Sequence, residues 1–225
     1  TNWSVSVFNV LTLRLFSLAL PLLAIGAAFD AQNLGIGLFN QLGFSFWVEF
    51  ILVILILDFF IWLQHLLTHK IEFLWRIHRV HHSDTEMDIS TAIRFHPIEI
   101  ALSMGLKIGL VYALGADPLS VLIFEIVLNG SSIFNHANIN IPNRIDKIMR
   151  ILIVTPDMHR IHHSSDRVEH DKNFGFALSI WDHIFQTYKS RPERDHKEME
   201  IGLNWQDKKP EELGWSLGLP FKKNG

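Results

Sequence analysis

The feature that most constrains this chain is an apolar run of twenty residues at positions 44–63. The run reads FSFWVEFILVILILDFFIWL, and Glu49 and Asp58 are its only charged residues. A helix needs about 20 mostly apolar residues to cross a lipid bilayer. The run therefore predicts a membrane-embedded helix, and any fold of the chain has to accommodate it.

Three other segments have a similar character. They are residues 5–29, which Arg14 and Pro21 interrupt, residues 98–116, which contain Lys107, and residues 119–134, which contain Glu125. Only 19% of the 225 residues are charged, whereas a soluble domain has about 25%. We therefore predict an all-α integral membrane protein with about four membrane-embedded helices.

The predicted helices form two hairpins within one domain that covers residues 1–225. The first hairpin spans residues 5–63 and the second spans residues 98–135, because the Gly-Ala-Asp-Pro turn at 115–118 is short. Residues 64–97 then form a histidine-containing loop, and residues 136–225 form a mainly helical cap and tail.

The basic residues predict how this domain is oriented. Eighteen of the twenty Lys and Arg residues lie in residues 64–97 and 136–225, and none lies in residues 30–43. Lys and Arg are enriched in the cytoplasmic loops of membrane proteins. We therefore expect a multi-pass protein whose loop 64–97 and cap 136–225 share the cytoplasmic face.

All thirteen histidines lie in the same two segments. Eight of them occur in three motifs, which are His65-Leu-Leu-Thr-His69, His78-Arg-Val-His81-His82 and His159-Arg-Ile-His162-His163. Spacings of three and four residues place side chains on one face of a helix. Neutral imidazole is a good ligand for zinc, copper, iron and nickel. Eight imidazoles exceed what one ion can use, so the motifs predict a site for two metal ions.

The motifs fit several other kinds of site less well. Clustered histidines could be interfacial polar residues, but a repeated His-Arg-x-His-His motif argues against that. The zinc-protease pattern His-Glu-x-x-His is absent, and the carboxylate-bridged di-iron bundle needs two Glu-x-x-His pairs, whereas only Glu193 to His196 fits. The chain has no cysteine, which excludes thiolate ligands and disulfides. Histidine ligation of two ions beside a membrane points to oxygen-activating iron.

Two later motifs extend this pattern into a family resemblance. The histidine motifs are followed by Asp-Lys-Asn-Phe-Gly at 171–175 and by Trp-Asp-His-Ile-Phe-Gln-Thr-Tyr at 181–188. In their order and spacing, residues 50–190 resemble the fatty acid hydroxylase superfamily, the sterol desaturase type of membrane di-iron enzyme. One difference is that His183 and Gln186 stand where the family usually has Arg and Gly.

The resemblance implies a function and its cofactors. Members of the family hold two iron ions in a histidine cage at the cytosolic membrane face, and use O2 and two electrons to hydroxylate or desaturate a C–H bond of a lipid. The implied substrate is a sterol, fatty acyl chain, ether lipid or carotenoid. No Gly-rich dinucleotide-binding motif is present. We therefore expect an external electron donor of the cytochrome b5, ferredoxin or reductase type, and the net charge of −3 gives no reason to expect nucleic-acid binding.

The predicted metal ligands are the eight motif histidines and one more at the end of the last apolar segment. They are His65, His69, His78, His81, His82, His136, His159, His162 and His163. His136 is included because the resemblance implies a further histidine at this place in the family, and it could instead be an interfacial residue at a helix end. His96 precedes the third apolar segment in an Arg-x-His-Pro-x-Glu pattern that resembles one of the family, and is either a further ligand or a residue that orients one.

Some polar residues near the motifs are weaker candidates. Asp58 lies seven residues before His65, on the same helical face. Because a ligating histidine usually donates its second N–H to a carboxylate or carbonyl, we expect Asp58 to orient a ligand, with polar packing as the alternative. Asp157 and Asp182 are further carboxylates of this kind. We interpret His170 as peripheral, and His183 and His196 as ordinary polar residues.

Two more functional classes remain as alternatives. A membrane metal transporter usually places its ligands at the bilayer midplane, whereas these motifs flank the apolar segments. A metal-dependent lipid hydrolase needs a general base, and no Glu lies within a histidine motif. The sequence therefore favours the oxygen-dependent lipid enzyme.

Overall fold

The computed structural model describes residues 3–4, 7–8, 23–196, 198–205 and 212–222. In these residues the chain forms helices and loops, and two isolated β-bridges join Ile153 to Leu178 and Ser164 to Ile201. The helices are α1 (Ala24–Leu34), α2 (Leu38–Leu42), α3 (Phe46–Lys70), α4 (Glu72–His82), α5 (Pro97–Leu114), α6 (Pro118–His136), α7 (Asn143–Met149), α8 (Pro156–His162), α9 (Arg167–His170), α10 (Ile180–Ile184) and α11 (Leu213–Gly218), with 3₁₀ turns at Thr91–Ile93 and Leu219–Phe221. The prediction of an all-α chain is confirmed for this part of the protein.

Three of the described helices are long and apolar enough to cross a membrane, and these are α3, α5 and α6. They correspond to three of the four predicted membrane helices. The first predicted helix, residues 5–29, lies mostly outside the described residues, and residues 24–29 begin α1.

Residues 64–97, the predicted histidine-containing segment between the two hairpins, are helical over most of their first half. Helix α3 continues to Lys70 and α4 follows from Glu72, so that His65 and His69 lie on the same helix as the apolar run. The apolar run ends at Leu63, but His65 and His69 are themselves buried, and their packing continues the helix where hydropathy falls. Hydropathy marked the end of the apolar surface and not the end of the helix.

The turn predicted over residues 30–43 is also shorter than expected. Helix α1 continues to Leu34, and Asp30 within it accepts a hydrogen bond from the hydroxyl of Tyr112 at 2.7 Å. The helix ends at Gly35, which has the left-handed φ of 64° that favours glycine.

The bounds of α5 and α6 lie within two residues of those predicted for the third and fourth apolar segments, and a short turn joins the two helices. Asp117 Oδ1 accepts hydrogen bonds from the amides of Leu119 and Ser120, and Pro118 occupies the first turn of α6. These are the features of a capped helix start. The turn packs closely on the chain after α1, since a Cβ on Gly37 would overlap the backbone of Gly115.

The apolar core lies between α1, α3, α5 and α6. Its buried residues include Ala28, Leu57, Val111 and Phe124, all at most 1% exposed. The outward faces of α3 and α6 carry large exposed apolar side chains, such as Trp47 at 71% and Ile126 at 62% exposed. Burial of apolar surface therefore holds these four helices together on one side only.

The C-terminal part of the chain is tied to α4 by two buried arginines. Arg79 Nη2 donates to the carbonyl oxygens of Leu219 and Lys222 at 2.6 and 2.7 Å. Arg94 donates to the carbonyl oxygen of Val80 at 3.0 Å and to Ser216 Oγ at 3.1 Å. These bonds fix α4 between the long helices and the C-terminal segment, and so position the histidines of α4.

Candidate metal centre

Nine buried histidines converge in two neighbouring groups. In each group, one ring nitrogen of every member lies within 4.8 Å of the corresponding nitrogen of all the others. The first set consists of His65, His69, His78, His82 and His162, and the second set consists of His81, His136, His159 and His163. The nine predicted ligands are the same nine residues, and each is at most 4% exposed.

Helical geometry explains how each His-Arg-x-His-His motif contributes to both sets. Residues four apart on a helix lie on the same face, whereas adjacent residues are rotated by about 100° around the helix axis. In α4 the pair His78 and His82 joins the first set, and His81 joins the second. In α8 and the residue after it, the pair His159 and His163 joins the second set, and His162 joins the first.

The second set has the spacing of ligands around one ion. His136 Nε2 lies 3.3 Å from His81 Nε2, 3.2 Å from His163 Nε2 and 3.2 Å from His159 Nε2. A tetrahedral ion with metal–nitrogen bonds of about 2.0–2.1 Å would separate its ligand atoms by about 3.3–3.4 Å. His136 Nδ1 lies 2.7 Å from the carbonyl oxygen of Ser132, so Nδ1 donates there and Nε2 presents its lone pair to the set.

Most imidazoles of the first set are oriented through their other ring nitrogen. His65 Nδ1 lies 2.7 Å from the carbonyl oxygen of Phe174, and His162 Nδ1 lies 2.7 Å from that of Lys172. His78 Nδ1 lies 2.6 Å from Glu99 Oε1. In each pair Nδ1 donates and Nε2 turns inward, which is the arrangement of metal-binding histidines.

Orphaned nitrogens in the first set also fit a metal ion. Among the described residues, Nε2 of His69, His82 and His162 is buried and has no hydrogen-bond partner. A buried polar atom without a partner costs free energy, and a metal ion bound by these lone pairs would remove that cost. Both sets therefore fit one ion each.

The protonation state of the histidines also suits metal binding. Burial, followed by the proximity of other imidazoles, holds the pKa of His159 and of His163 well below its usual value. The same two causes lower the pKa of His81 and His82. These side chains are therefore neutral at physiological pH, the form that binds metals.

A loop at residues 171–175 presents backbone carbonyls to the first set. The carbonyl oxygens of Lys172 and Phe174 accept the two histidine hydrogen bonds described above. Between them Asn173 adopts a φ of 56° and donates to the carbonyl oxygens of Met158 and Lys189, each at 2.9 Å. The motif that carried part of the family resemblance is therefore a strap that orients His65 and His162.

Asp182 holds this strap in place. Its carboxylate accepts hydrogen bonds from the amides of Phe174 and Gly175 at 2.9 and 2.8 Å, and from Trp62 Nε1 at 3.1 Å. A Cβ at Gly175 would lie only 3.0 Å from Asp182 Oδ2. Asp182 therefore orients His65 indirectly, through the carbonyl of Phe174.

The expected role of Asp58 is corrected by its contacts. Asp58 Oδ2 accepts a hydrogen bond from Trp181 Nε1 at 2.8 Å, whereas the Nδ1 of His65 is used by Phe174. Shared position on a helix face was not enough to bring the carboxylate to the imidazole. The alternative, polar packing against the cap, describes Asp58.

Two more candidate histidines lie outside both sets. His96 Nδ1 accepts a hydrogen bond from the amide of Ile98 at 3.2 Å and caps the start of α5, so it is neither in a set nor in contact with a ligand's second nitrogen. His170 stacks on Trp75, with ring centroids 5.0 Å apart, and forms a small group with His69 and Asp171. His170 thus borders the first set.

Glu99 is the functional side chain that sequence reasoning missed. It belongs to the Arg-x-His-Pro-x-Glu pattern, in which His96 was the predicted functional residue. Three residues further on, Glu99 reaches His78 Nδ1. A carboxylate so close to a dense histidine motif was a signal that could have identified it.

A cavity of about 400 Å³ adjoins the first set. It lies between α3, α5 and α6, where His65, Ile61, Phe95 and Phe176 form part of its wall, and it extends to Lys107. Its volume is within the range of small-molecule sites. The site thus combines buried imidazoles with a partly open cavity whose wall is mostly apolar.

Comparison with known proteins identifies the family. The family model described as fatty acid hydroxylase matches residues 50–187, which include both imidazole sets. The chain belongs to the fatty acid hydroxylase family. The resemblance inferred from the motifs is therefore confirmed.

Several relatives in this family are lipid hydroxylases or monooxygenases. The chain is 30% identical over 145 residues to ornithine lipid hydroxylase OlsE of Rhizobium tropici, which covers 64% of this chain and 43% of that protein. It is 27% identical over 138 residues to human alkylglycerol monooxygenase, covering 61% and 30%. It is 28% identical over 149 residues to human cholesterol 25-hydroxylase, covering 64% and 51%.

The chain thus matches about half or less of the length of these relatives. No solved structure matches it.

Proposed function

We propose that this chain is an O2-dependent membrane oxidoreductase that hydroxylates or desaturates a C–H bond of a lipid with two iron ions. The observation that carries the proposal is the pair of buried imidazole sets beside an apolar cavity. Membership of the fatty acid hydroxylase family favours iron and oxidation of a lipid over other uses of such a site.

The iron ions, when bound, supply the activation of O2 that a saturated C–H bond requires. The chain's own residues do the positioning. Glu99, the carbonyl of Phe174 and the carbonyl of Lys172 hold three imidazoles of the first set in one orientation. The cavity holds the lipid beside His65, and its apolar wall keeps water from the reacting carbon.

The membrane supplies the substrate in this proposal. Helices α3, α5 and α6 cross or enter the bilayer, and their exposed apolar faces contact lipid. The histidine sets lie at the cytoplasmic face, where Lys and Arg are concentrated. An external donor of the cytochrome b5, ferredoxin or reductase type brings the electrons from that side.

Metal analysis combined with an oxygen assay tests the proposal. Protein purified from iron-replete cells should contain close to two iron ions per chain and should consume O2 only in the presence of a lipid and an electron donor. Lipid cleavage without O2 consumption would instead identify a hydrolase, and metal flux into vesicles would identify a transporter. A reproducible ratio of one iron, or full activity with zinc alone, would contradict the two-iron proposal.

Membrane orientation can be tested separately with single cysteines in this cysteine-free chain. Thr85 and Ser190 are exposed and belong to the two basic segments, and Gln41 is exposed near the opposite end of α3. Cysteines at Thr85 and Ser190 should react with a membrane-impermeant thiol reagent only after the membrane is opened, and Gln41→Cys should react in intact cells. Opposite labelling of Thr85→Cys and Ser190→Cys would place the two histidine-bearing segments on different sides and refute a common site.

A further inference from the structure

An exposed apolar surface lies outside the three long helices, on α7, on the turn that follows it and at the end of α10. Its members are 49–69% exposed, and they are Ile145, Ile148, Ile151, Leu152, Ile184 and Phe185. We call these six residues the outer patch. Large apolar side chains grouped on a surface usually mark a site of interaction with a protein, a ligand or a membrane.

The polarity of α7 is the reverse of that expected for a helix packed on a water-soluble protein, which turns its apolar side inward. The inward residue of α7 is a carboxylate. Asp146 is buried, lies 2.7 Å from Arg150 Nε and accepts a hydrogen bond from Thr155 Oγ1 at 2.6 Å. The exposed side of the helix carries Ile145 and Ile148 instead. This arrangement suits an apolar environment outside the protein.

The outer patch extends to a helix that is apolar enough to cross a membrane. The amide of Ser179, next to α10, donates to the carbonyl oxygen of Leu152 at 3.0 Å, which brings the two parts of the patch close together. The ring of Phe185 stacks on that of Trp62 in α3, with centroids 4.7 Å apart. Because α3 is a candidate membrane span, the patch lies beside the region where the chain meets lipid.

The charges on α7 also suit a membrane surface. Arg144 and Lys147 are exposed, whereas the carboxylate of Asp146 is buried and paired with Arg150. The outward charge of the helix is therefore positive. Helices that lie in a membrane surface combine apolar residues with Lys and Arg, whose charges attract anionic headgroups.

We infer that the outer patch enters the bilayer leaflet nearest the histidine sets, with Arg144 and Lys147 among the lipid headgroups. The inference goes beyond the proposed reaction, and it rests on the proposed function only in requiring α3, α5 and α6 to lie in a bilayer. Thr155, the partner of Asp146, is also the N-cap of α8. The membrane contact therefore holds the cap against the bilayer close to the start of a helix that bears histidines of both sets.

Quenching of fluorescent labels in vesicles of phosphatidylcholine and phosphatidylglycerol tests the inference. Ile148→Cys and Ile184→Cys are made singly in this cysteine-free chain and labelled with a small dye. Lipids with a nitroxide at the top of the acyl chain should quench both labels strongly, and iodide on both sides of the membrane should quench them weakly. Ile126→Cys, on the exposed side of α6, is the control for lipid contact, and Glu198→Cys, exposed in the cap, is the control for water.

Each other pattern of quenching contradicts the inference. Quenching of Ile148→Cys by iodide and not by the nitroxide lipid would show that the outer patch faces water. Protection of this label from both quenchers would show that protein covers the patch, as in a dimer of this chain. If Ile126→Cys also escaped the nitroxide lipid, the membrane embedding in the proposed function would fail together with this inference, whereas quenching of Ile126→Cys alone would overturn this inference only.

A pair of double variants then locates the contact. Ile145→Asp with Leu152→Asp should reduce quenching of the Ile148→Cys label by the nitroxide lipid about twofold or more, because carboxylates are costly to transfer into hydrocarbon. The matched control is Ile89→Asp with Phe221→Asp, which changes two exposed apolar residues outside the patch and should leave the quenching unchanged. Equal quenching of the label in the two double variants would overturn the inference.

Discussion

The two imidazole sets use the same residue type but hold it in place by different means. In the first set, His65, His78 and His162 each donate from Nδ1 to a carbonyl or carboxylate. In the second set only His136 does so. Among the described residues, Nδ1 of His81, His159 and His163 has no hydrogen-bond partner.

Packing replaces hydrogen bonding in the second set. The ring of His81 stacks on Phe95, with centroids 4.3 Å apart and an interplanar angle of 9°. The four Nε2 atoms are also closely spaced. The first set is therefore an oriented site with five imidazoles next to the cavity, and the second is a compact site with four.

Removing one imidazole from each set should give the largest effects and should separate them. His159→Ala leaves three imidazoles in the second set, and we expect its iron content to fall from about two to about one per chain. His69→Ala leaves four imidazoles in the first set, and we expect it to retain more iron. His159→Ala should lose product formation, because the proposed reaction needs both ions, and His69→Ala should lose less of it.

The control for this pair is His183→Ala, since His183 lies outside both sets and contacts the carbonyl oxygen of Arg150 at 3.0 Å. It should keep both ions. Equal iron loss in His69→Ala and His159→Ala would show that the two sets do not differ as their ligand numbers suggest.

Neutralising Glu99 should have the next largest effect, and only on the first set. Loss of a carboxylate behind a metal-binding histidine typically costs about 10–100-fold in metal affinity or activity. In the His159→Ala background, we expect Glu99→Gln to lower the affinity of the first set for its ion by about this factor. Competition with a chelator measures this affinity. The control is Glu86→Gln, an exposed change on the loop after α4. An equal loss of iron affinity in this control would show that Glu99 has no specific role in orienting His78.

A change at Asp182 tests whether the loop at residues 171–175 affects iron binding by orienting His65 and His162. Asp182→Asn keeps one acceptor oxygen but weakens the bonds to the amides of Phe174 and Gly175. We expect about a tenfold loss of iron affinity in the first set, at the lower end of the range for groups behind a ligand. Reduced thermal stability with unchanged iron affinity would show that Asp182 serves the fold alone.

The sequence could predict those residues whose spacing along the chain indicates a helix face or a turn. The eight motif histidines have helical spacing, and the α5–α6 hairpin has a Pro and an Asp at its turn. His136 was expected from the family resemblance, and the structure brings it among the others.

The orienting groups could not be found in this way, because two of them are backbone carbonyls. The carbonyl of Phe174 contacts His65, which lies 109 positions away in the sequence. Every residue has a backbone carbonyl, so the type of side chain at position 174 does not indicate this contact. The assignment of each imidazole to one of two sets had the same difficulty, since it depends on how α4 and α8 face each other. Sequence thus predicts which histidines come together, and tertiary packing decides which set each one joins.

Replacing Asp58 should have the smallest effect. It tests whether a carboxylate affects a histidine when the two share a helix face but are not in contact. Its carboxylate contacts Trp181 of the cap and no histidine, and the oxygen of an asparagine could still accept that hydrogen bond. We expect Asp58→Asn to lower the free energy of unfolding by about 1 kcal/mol, because a neutral amide oxygen accepts this hydrogen bond less strongly than a carboxylate does. Iron affinity of either set should stay within about twofold of wild type, well short of the loss that follows removal of an orienting group.

The measurement is chelator competition and thermal unfolding of Asp58→Asn beside Glu99→Gln in the same detergent. Both changes replace a carboxylate by its amide on a long apolar helix. If Asp58→Asn loses iron as Glu99→Gln does, then the helical-face argument drawn from the sequence was right about Asp58. If it loses only stability, a carboxylate matters to the metal centre only when it reaches the second nitrogen of an imidazole.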